Sequence, residues 1–238
     1  MKNNNRTLSR GQKSKFPAMA LGLSLAIAAP AMAGWDVINT DVIIANGETS
    51  TQSGSGMEWI NGSIDVQAGG TLIAPGEVEK YEDGFALTVN GTAFIGQLKA
   101  QAEGAGSYPI TVGGSLEVDE GEMGKYGAVV MTIGTNGTFK SNGEFIIKTL
   151  DKDNNGKGGH GTYVDILGSG RMLLASGLGD YGAEIRGNGV ADAYTVTVGT
   201  GADTGYSVYT ATAAIPEPTS MSLLALGGLA LLRRRRRA

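Results

Sequence analysis

The 238-residue chain contains no cysteine and only one histidine. The absence of cysteine excludes a disulfide scaffold, a thiolate nucleophile and any cysteine-ligated zinc or iron–sulfur site. With a single histidine, metal sites that need several histidine ligands are excluded, and a catalytic triad could only be built around that one residue. His160 lies among glycines, so we expect it to be an exposed loop residue rather than a ligand or a catalytic base.

Basic residues are scarce between the two ends of the chain. Only nine of the 19 Lys and Arg residues lie within 34–215, against 22 Asp and Glu residues, which leaves this body with a net charge of about −13. Because so acidic a body repels a phosphate backbone, we expect no nucleic-acid partner.

The first 33 residues have the organisation of a secretory signal peptide. A basic, acid-free start precedes an apolar stretch at 18–29, and the small residues Ala31 and Ala33 stand before Gly34. This order predicts export through the secretion translocon and cleavage by signal peptidase after Ala33. The alternative is an uncleaved membrane anchor, for which the apolar stretch is short.

The C-terminal residues 215–238 contain three elements in a fixed order. Pro216, Glu217 and Pro218 precede an apolar run at 221–232, and a basic cluster follows, formed by Arg233, Arg234, Arg235, Arg236 and Arg237. This segment resembles a PEP-CTERM sorting signal of exported bacterial proteins. The resemblance implies recognition of Pro216-Glu217-Pro218 by an exosortase, a membrane protease and transferase.

The resemblance also implies a route for the chain. Residues 221–232 would form a transmembrane helix, with the arginines as a membrane stop on the cytoplasmic side. The chain would be anchored transiently in the inner membrane and then reach the cell surface, the outer envelope or the extracellular space. A helix of this length spans about 18 Å of a core of about 30 Å. Length alone would favour the alternative, an apolar helix docked on the domain, but the five consecutive arginines that follow argue against it.

Between the two signals, at 34–198, the chain repeats a short unit. Each unit has an apolar-x-apolar triplet, a Gly or Asn-Gly turn and a second alternating segment, with spacings of 21, 23, 23 and 33 residues between the marker glycines Gly70, Gly91, Gly114, Gly137 and Gly170. Alternation predicts strands, and the repeat favours a short parallel β-helix, a right-handed solenoid of about 22-residue coils. The alternative is an antiparallel β-sandwich, because Asn-Gly pairs are also strong hairpin signals. We expect the recurring Asn-Gly pairs to supply positive φ at the tight corners. We interpret 48–56 as a polar loop and 199–214 as a spacer.

One segment resembles the start of a calcium-binding loop. Asp151, Asp153 and Asn155 occupy positions 1, 3 and 5, and Gly156 occupies position 6. Position 12 is Thr162 instead of glutamate, although Asp165 could add a late carboxylate. The sequence leaves two interpretations open, a weak calcium site and a solvated polar loop; no other cofactor is expected.

The densest acidic run offers the only candidate for catalysis. Glu117, Asp119, Glu120 and Glu122 could supply the paired carboxylates of a glycoside hydrolase. No constellation of His, Arg or Lys accompanies the run, so we interpret it as a solvated strand face and predict no catalytic residues. On a strand, Glu117 and Asp119 would share one face and Val118 the other.

Aromatic residues could stack on sugar rings, but they do not recur at one position of the repeat. They are Trp35, Trp59, Tyr81, Tyr108, Tyr126, Tyr163, Tyr181, Tyr194, Tyr206 and Tyr209. We therefore expect an exported, non-enzymatic structural or matrix-associated protein, with extracellular polysaccharide as a partner. A carbohydrate-binding or adhesive module is the alternative, and a polysaccharide-degrading enzyme is a third interpretation.

Overall fold

The computed structural model describes residues 37–38, 41–52, 56–59, 62–80, 86–101, 108–124, 127–148, 161–178 and 183–212. In chain order the strands are β1 (Val37–Ile38), β2 (Val42–Ile44), β3 (Thr49–Thr51), β4 (Gly56–Trp59), β5 (Ile64–Val66), β6 (Thr71–Lys80), β7 (Leu87–Val89), β8 (Thr92–Ala100), β9 (Tyr108–Val112), β10 (Ser115–Met123), β11 (Val129–Ile133), β12 (Thr138–Ser141), β13 (Phe145–Ile147), β14 (Tyr163–Ile166), β15 (Arg171–Leu174), β16 (Ile185–Gly187), β17 (Val190–Ala191), β18 (Tyr194–Val198) and β19 (Ser207–Ala211). A single 3-10 turn, Gly201–Asp203, lies between the last two strands.

These strands form a β-solenoid of stacked parallel coils. One sheet has eight strands in the order β17-β16-β14-β11-β9-β7-β5-β2, and the other has eleven. Strands one coil apart pair in parallel from β2 to β16 and from β3 to β15. The prediction of a parallel β-helix is confirmed over the antiparallel sandwich.

Each coil has three sides because the long strands of the larger sheet turn a corner. In β10 the neighbours Asp119 and Glu120 are both exposed, which breaks the alternation of buried and exposed residues. The first half of β10 pairs with β12 and the second half with β13. We call the eight-stranded sheet the first face. The second face contains β3, β12, β15 and the first halves of β6, β8 and β10; the third contains β1, β4, β13 and the second halves.

The core consists of columns of side chains from equivalent positions in successive coils. On the second face one fully buried column contains Leu72, Ala93, Leu116, Phe139 and Met172. On the first face a matching column contains Ile64, Leu87, Ile110, Met131, Val164 and Ile185. Burial of each large apolar side chain contributes about 1.5–3 kcal/mol, so the repeat itself builds the core.

The marker glycines allow successive coils to approach each other closely. A Cβ atom on Gly114 would lie 2.1 Å from the carbonyl oxygen of Gly91, and one on Gly137 would lie 2.0 Å from that of Val112. The prediction that the Asn-Gly pairs supply positive φ is correct at Gly47, Gly62 and Gly189, and at 136–137 it is Asn136 that has the positive φ. It is wrong at Gly91 and Gly143, where the small space between coils requires glycine instead.

Antiparallel strands follow the last parallel coil at the C-terminal end, and we call β18, β19 and the turn between them the C-terminal cap. Strand β19 pairs antiparallel with β15, and β18 pairs antiparallel with β19. The predicted spacer at 199–214 is therefore folded as far as Thr212, whose amide donates to the carbonyl of Ala193. Burial of Val208 and Tyr209 explains this difference, as does the ion pair of Asp203 with Arg171. The polar segment at 48–56 likewise contains β3 instead of a continuous loop.

Replacing Gly137 with alanine tests the close approach of the coils. The added methyl would meet the carbonyl of Val112, so we expect Gly137→Ala to lower the free energy of unfolding by about 1–3 kcal/mol. The control is Gly134→Ala in the same turn, where the nearest atom to a Cβ is 3.6 Å away and a change within about 0.5 kcal/mol is expected. Denaturant unfolding measures both, and equal effects would contradict the explanation.

Candidate functional site

The acidic run of β10 lies on the outside of the solenoid, on both sides of a corner. Val118 is fully buried while Glu117 and Asp119 face outward, as predicted from strand alternation. Glu120 and Glu122 follow the corner and belong to the third face. The run is thus divided between two faces rather than gathered into one cleft.

A network of polar side chains, which we call the polar ladder, crosses the third face. Lys99 Nζ lies 2.7 Å from Glu77 Oε2, and Lys148 Nζ lies 2.6 Å from Glu122 Oε2. Gln101 Nε2 donates to Glu122 Oε1 at 2.6 Å and to Glu79 Oε1 at 3.3 Å. Each contact joins neighbouring coils, so the ladder fastens β6, β8, β10 and the end of β13 to one another. Its members are Glu77, Glu79, Gln97, Lys99, Gln101, Glu120, Glu122 and Lys148.

A second polar cluster lies where the second face meets the corner. Glu117 Oε1 accepts hydrogen bonds from Lys140 Nζ at 3.0 Å and from Asn142 Nδ2 at 2.9 Å. Asn142 also donates to Asp119 at 3.1 Å and accepts from the hydroxyl of Tyr206 at 2.7 Å. The ammonium group of Lys140 lies 5.1 Å from the centre of the Tyr206 ring, a cation–π contact. This cluster attaches the C-terminal cap to the coil below it.

The basic residues that appeared to be missing from the acidic run are thus present one coil away. Lys140 lies 23 residues from Glu117, and Lys148 lies 26 residues from Glu122. The sequence signal that could have found them is the repeat spacing itself, because outward residues one coil apart become neighbours.

One carboxyl group in each cluster, Glu77 in the polar ladder and Glu117 in the second cluster, has a lowered pKa. The hydrogen bond from Lys99 holds the pKa of Glu77 below its usual range, and Glu77 in turn raises the pKa of Lys99. Burial raises the pKa of Glu117, but the hydrogen bonds from Asn142 and Lys140 outweigh it and leave that pKa lowered. A glycosidase general acid needs the opposite shift. These groups are suited to holding coils together.

The possible calcium ligands Asp151, Asp153 and Asn155 lie outside the described residues, and so does His160. The two later candidates have structural partners instead. Thr162 is buried and its hydroxyl accepts a hydrogen bond from the amide of Val129, and Asp165 accepts from the amide of Gly189. Within the described ranges, no three His, Asp or Glu side chains are placed to hold a metal ion.

The described aromatic side chains make contacts within the protein. The guanidinium carbon of Arg186 lies 3.7 Å from the centre of the Tyr163 ring. Tyr108 and Tyr209 are buried, and Tyr194 packs against Tyr209 with ring centres 5.9 Å apart. The part of the chain that the structure describes therefore has no row of stacked rings. The residues Trp35, Tyr81, Tyr126 and Tyr181 and the side chain of Trp59 lie outside it.

The predicted signal peptide and the C-terminal sorting segment also lie outside the described residues. They include Ala31, Ala33 and Gly34, the motif Pro216, Glu217 and Pro218, and the arginines at 233–237. In the ranges that are described, no helix is both long and apolar enough to cross a membrane.

Replacing Glu77 tests the contribution of the polar ladder to stability. Because the folded pKa is lowered, the ion pair stabilises the protein fully above the unfolded value of about 4.5, and this contribution is lost as pH falls through the folded value. We expect Glu77→Gln to cost about 0.2–1 kcal/mol at pH 7, and the difference from wild type to shrink towards pH 3. Thermal unfolding across pH measures this. The exposed Glu144→Gln is the control, and an identical profile for both variants would contradict the prediction.

Comparison with known proteins gives one match. No curated protein and no solved structure matches the chain. Residues 214–237 match the family model described as the PEP-CTERM protein-sorting motif, which agrees with the resemblance of 215–238. The motif implies export, anchoring in the membrane before processing, and an exosortase as processing partner. The chain therefore carries a C-terminal PEP-CTERM protein-sorting motif, which implies targeting to an exosortase.

Proposed function

We propose that this chain is an exported, exosortase-processed, non-enzymatic structural protein of the cell envelope or the extracellular polysaccharide matrix. The observation that carries the proposal is the combination of a sorting motif with a solenoid whose outward charges bond to neighbouring coils. Side chains that make such contacts stabilise the stacking of the coils and are not free to take part in catalysis.

The polar ladder supports a structural role more than a catalytic one. A retaining or inverting glycosidase needs one carboxyl group with a raised pKa and a second one free to act. Glu77 and Glu117 instead have lowered pKa values, and Glu77, Glu117 and Glu122 each accept a hydrogen bond from a lysine. Freeing one of these carboxylates would break a contact between coils.

The net charge supports a partner that is not strongly anionic. With 22 acidic and nine basic residues in 34–215, the body repels acidic polymers. The outward row Thr71, Thr92, Ser115 and Thr138 offers hydroxyl groups at successive coils. Phe94, 44% exposed, lies on the same face. These features suit diffuse contact with a neutral polysaccharide, and they also favour the second candidate, a carbohydrate-binding module.

Substitution of the sorting motif tests the exosortase step. With Pro216, Glu217 and Pro218 all changed to alanine, we expect the protein to remain in the inner-membrane fraction, because the protease no longer recognises it. Fractionation and immunoblotting measure the distribution. The control changes the adjacent Thr219 and Ser220 to alanine and leaves release intact. Unchanged release of the triple variant would contradict the assignment.

Glycan binding distinguishes the matrix role from a binding module. We expect the released protein to fractionate with extracted matrix, to show no saturable binding on a glycan array and to leave a polysaccharide panel uncleaved, because its contacts are distributed over the hydroxyl row. Saturable binding that is lost in Phe94→Ala would favour the carbohydrate-binding module instead. Ile43→Ala, which also removes an exposed apolar side chain, is the control. Turnover of any polysaccharide would overturn the non-enzymatic role.

A further inference from the structure

The C-terminal end of the solenoid exposes a strand edge. Strand β18 ends the eleven-stranded sheet and, among the described residues, pairs on one side only, with β19. Val196 is 50% exposed and Val198 is 86% exposed. An unpaired edge that carries apolar side chains is a template for pairing with another strand.

The valines of β18 continue the core columns beyond the last coil. Val196 is opposite Tyr209, which is opposite the buried Met172. Val198 is opposite Ser207, which is opposite the buried Leu174. Both valines thus point to the core side of the sheet, where no further described coil covers them. Their exposure marks an interior that is left open at its end.

The backbone groups of the same residues face the free edge. The amide of Gly199 donates to the carbonyl of Tyr206, and the amide of Thr212 donates to that of Ala193. Hydrogen-bonded pairs alternate along an antiparallel ladder, so the residues between them that bond to β19 are Thr195 and Thr197. Tyr194, Val196 and Val198 therefore direct their N–H and C=O groups away from β19.

We propose that the partner of this edge is a second copy of the chain, paired through β18 in an antiparallel, two-fold symmetric dimer with Val196 on the axis. In this register Val196 is opposite Val196 of the second copy, Tyr194 is opposite Val198, and Thr195 is opposite Thr197. Val–Val, aromatic–valine and Thr–Thr pairs are favourable cross-strand combinations. Tyr194, Val196 and Val198, whose backbone groups face the free edge, are each opposite one of the same three residues in the second copy. Each such pair can therefore exchange two N–H···O=C hydrogen bonds.

Charge favours this edge over the sides of the solenoid for self-association. Residues 193–202 contain no charged side chain, whereas the body around them is strongly acidic. Two copies would repel each other through most of their surfaces, and β18 offers contact without that repulsion. A two-fold interface is self-complementary and closed, so assembly stops at two copies. This inference does not depend on the matrix role.

The mass of the exported protein, purified as cells release it, tests the proposal. Sedimentation velocity across concentration should show growth to twice the monomer mass and no further. Val196→Lys and Val196→Glu should each raise the dissociation constant at least about tenfold, because like charges would meet on the axis, and an equal mixture of the two should restore the dimer. Phe94→Lys, which adds the same charge on the side of the solenoid, should leave dimerisation unchanged.

Cysteine substitutions test the register without relying on those variants, because the chain has no native cysteine. Thr195→Cys mixed with Thr197→Cys should give a disulfide-linked dimer under mild oxidation. The two residues would form a non-hydrogen-bonded pair with Cα atoms about 4.5 Å apart, within disulfide reach. Either variant alone should form far less disulfide-linked dimer. In that case the two cysteines occupy the same position in both copies and lie diagonally across the strand pair, not directly opposite each other.

Three outcomes would overturn the proposal. These are a monomer at every concentration with no cross-linking, a mass that grows without limit, and a monomer whose binding to phosphatidylglycerol–phosphatidylethanolamine vesicles is lost in Val196→Lys. The last would assign the edge to a lipid surface. If release itself fails, the same measurements on the chain extracted from membranes separate that failure from a failure to dimerise.

Discussion

The close stacking of one coil on the next is the constraint on which the rest of this structure depends. Parallel strands hydrogen-bond at about 4.8 Å, so two turns that lie one above the other leave no room for a side chain between their backbones. Gly114 and Gly137 have glycine for this reason, with carbonyl oxygens of the preceding coil where a Cβ would stand. Once the corners stack, equivalent residues are forced into register, and alternation then produces a continuous apolar interior.

The same stacking decides the electrostatics of the outer surface. A side chain on one coil has its nearest neighbours one coil above and below, so partners are separated by the coil length rather than by a few residues. Glu122 shows this arrangement, with Gln101 donating from the preceding coil and Lys148 from the following one. Each pair is partly exposed and individually weak, but together the pairs join β6 to β8, β8 to β10, and β10 to β12 and the end of β13. An acidic body thus uses its few lysines to hold coils together.

The sequence was sufficient to predict the repeated coils but not the C-terminal cap, where the repeat ends. The spacings of 21, 23, 23 and 33 between the marker glycines are the offsets of the second-face column from Leu72 to Met172, so the coil lengths and the parallel architecture were readable. The same 23-residue spacing leads from Glu117 to Lys140, but this partner is visible only when outward residues are compared one coil apart instead of along the chain. The cap was missed because 207–211 has no marker glycine and pairs antiparallel.

The cap also determines how far the fold lies from the C-terminal sorting segment. The fold reaches Thr212, and only residues 213–215 separate it from Pro216. The apolar run begins at residue 221, and the eight residues 213–220 span at most about 29 Å when extended. A chain anchored through 221–232 would therefore hold the C-terminal end of its fold within that distance of the membrane surface. The β18 edge lies at that same end of the solenoid. If the proposed exosortase step removes the sorting segment, this edge is separated from the bilayer. The column that is open at Val196 would then be free to pair with its counterpart in another released copy, as the proposed dimer requires.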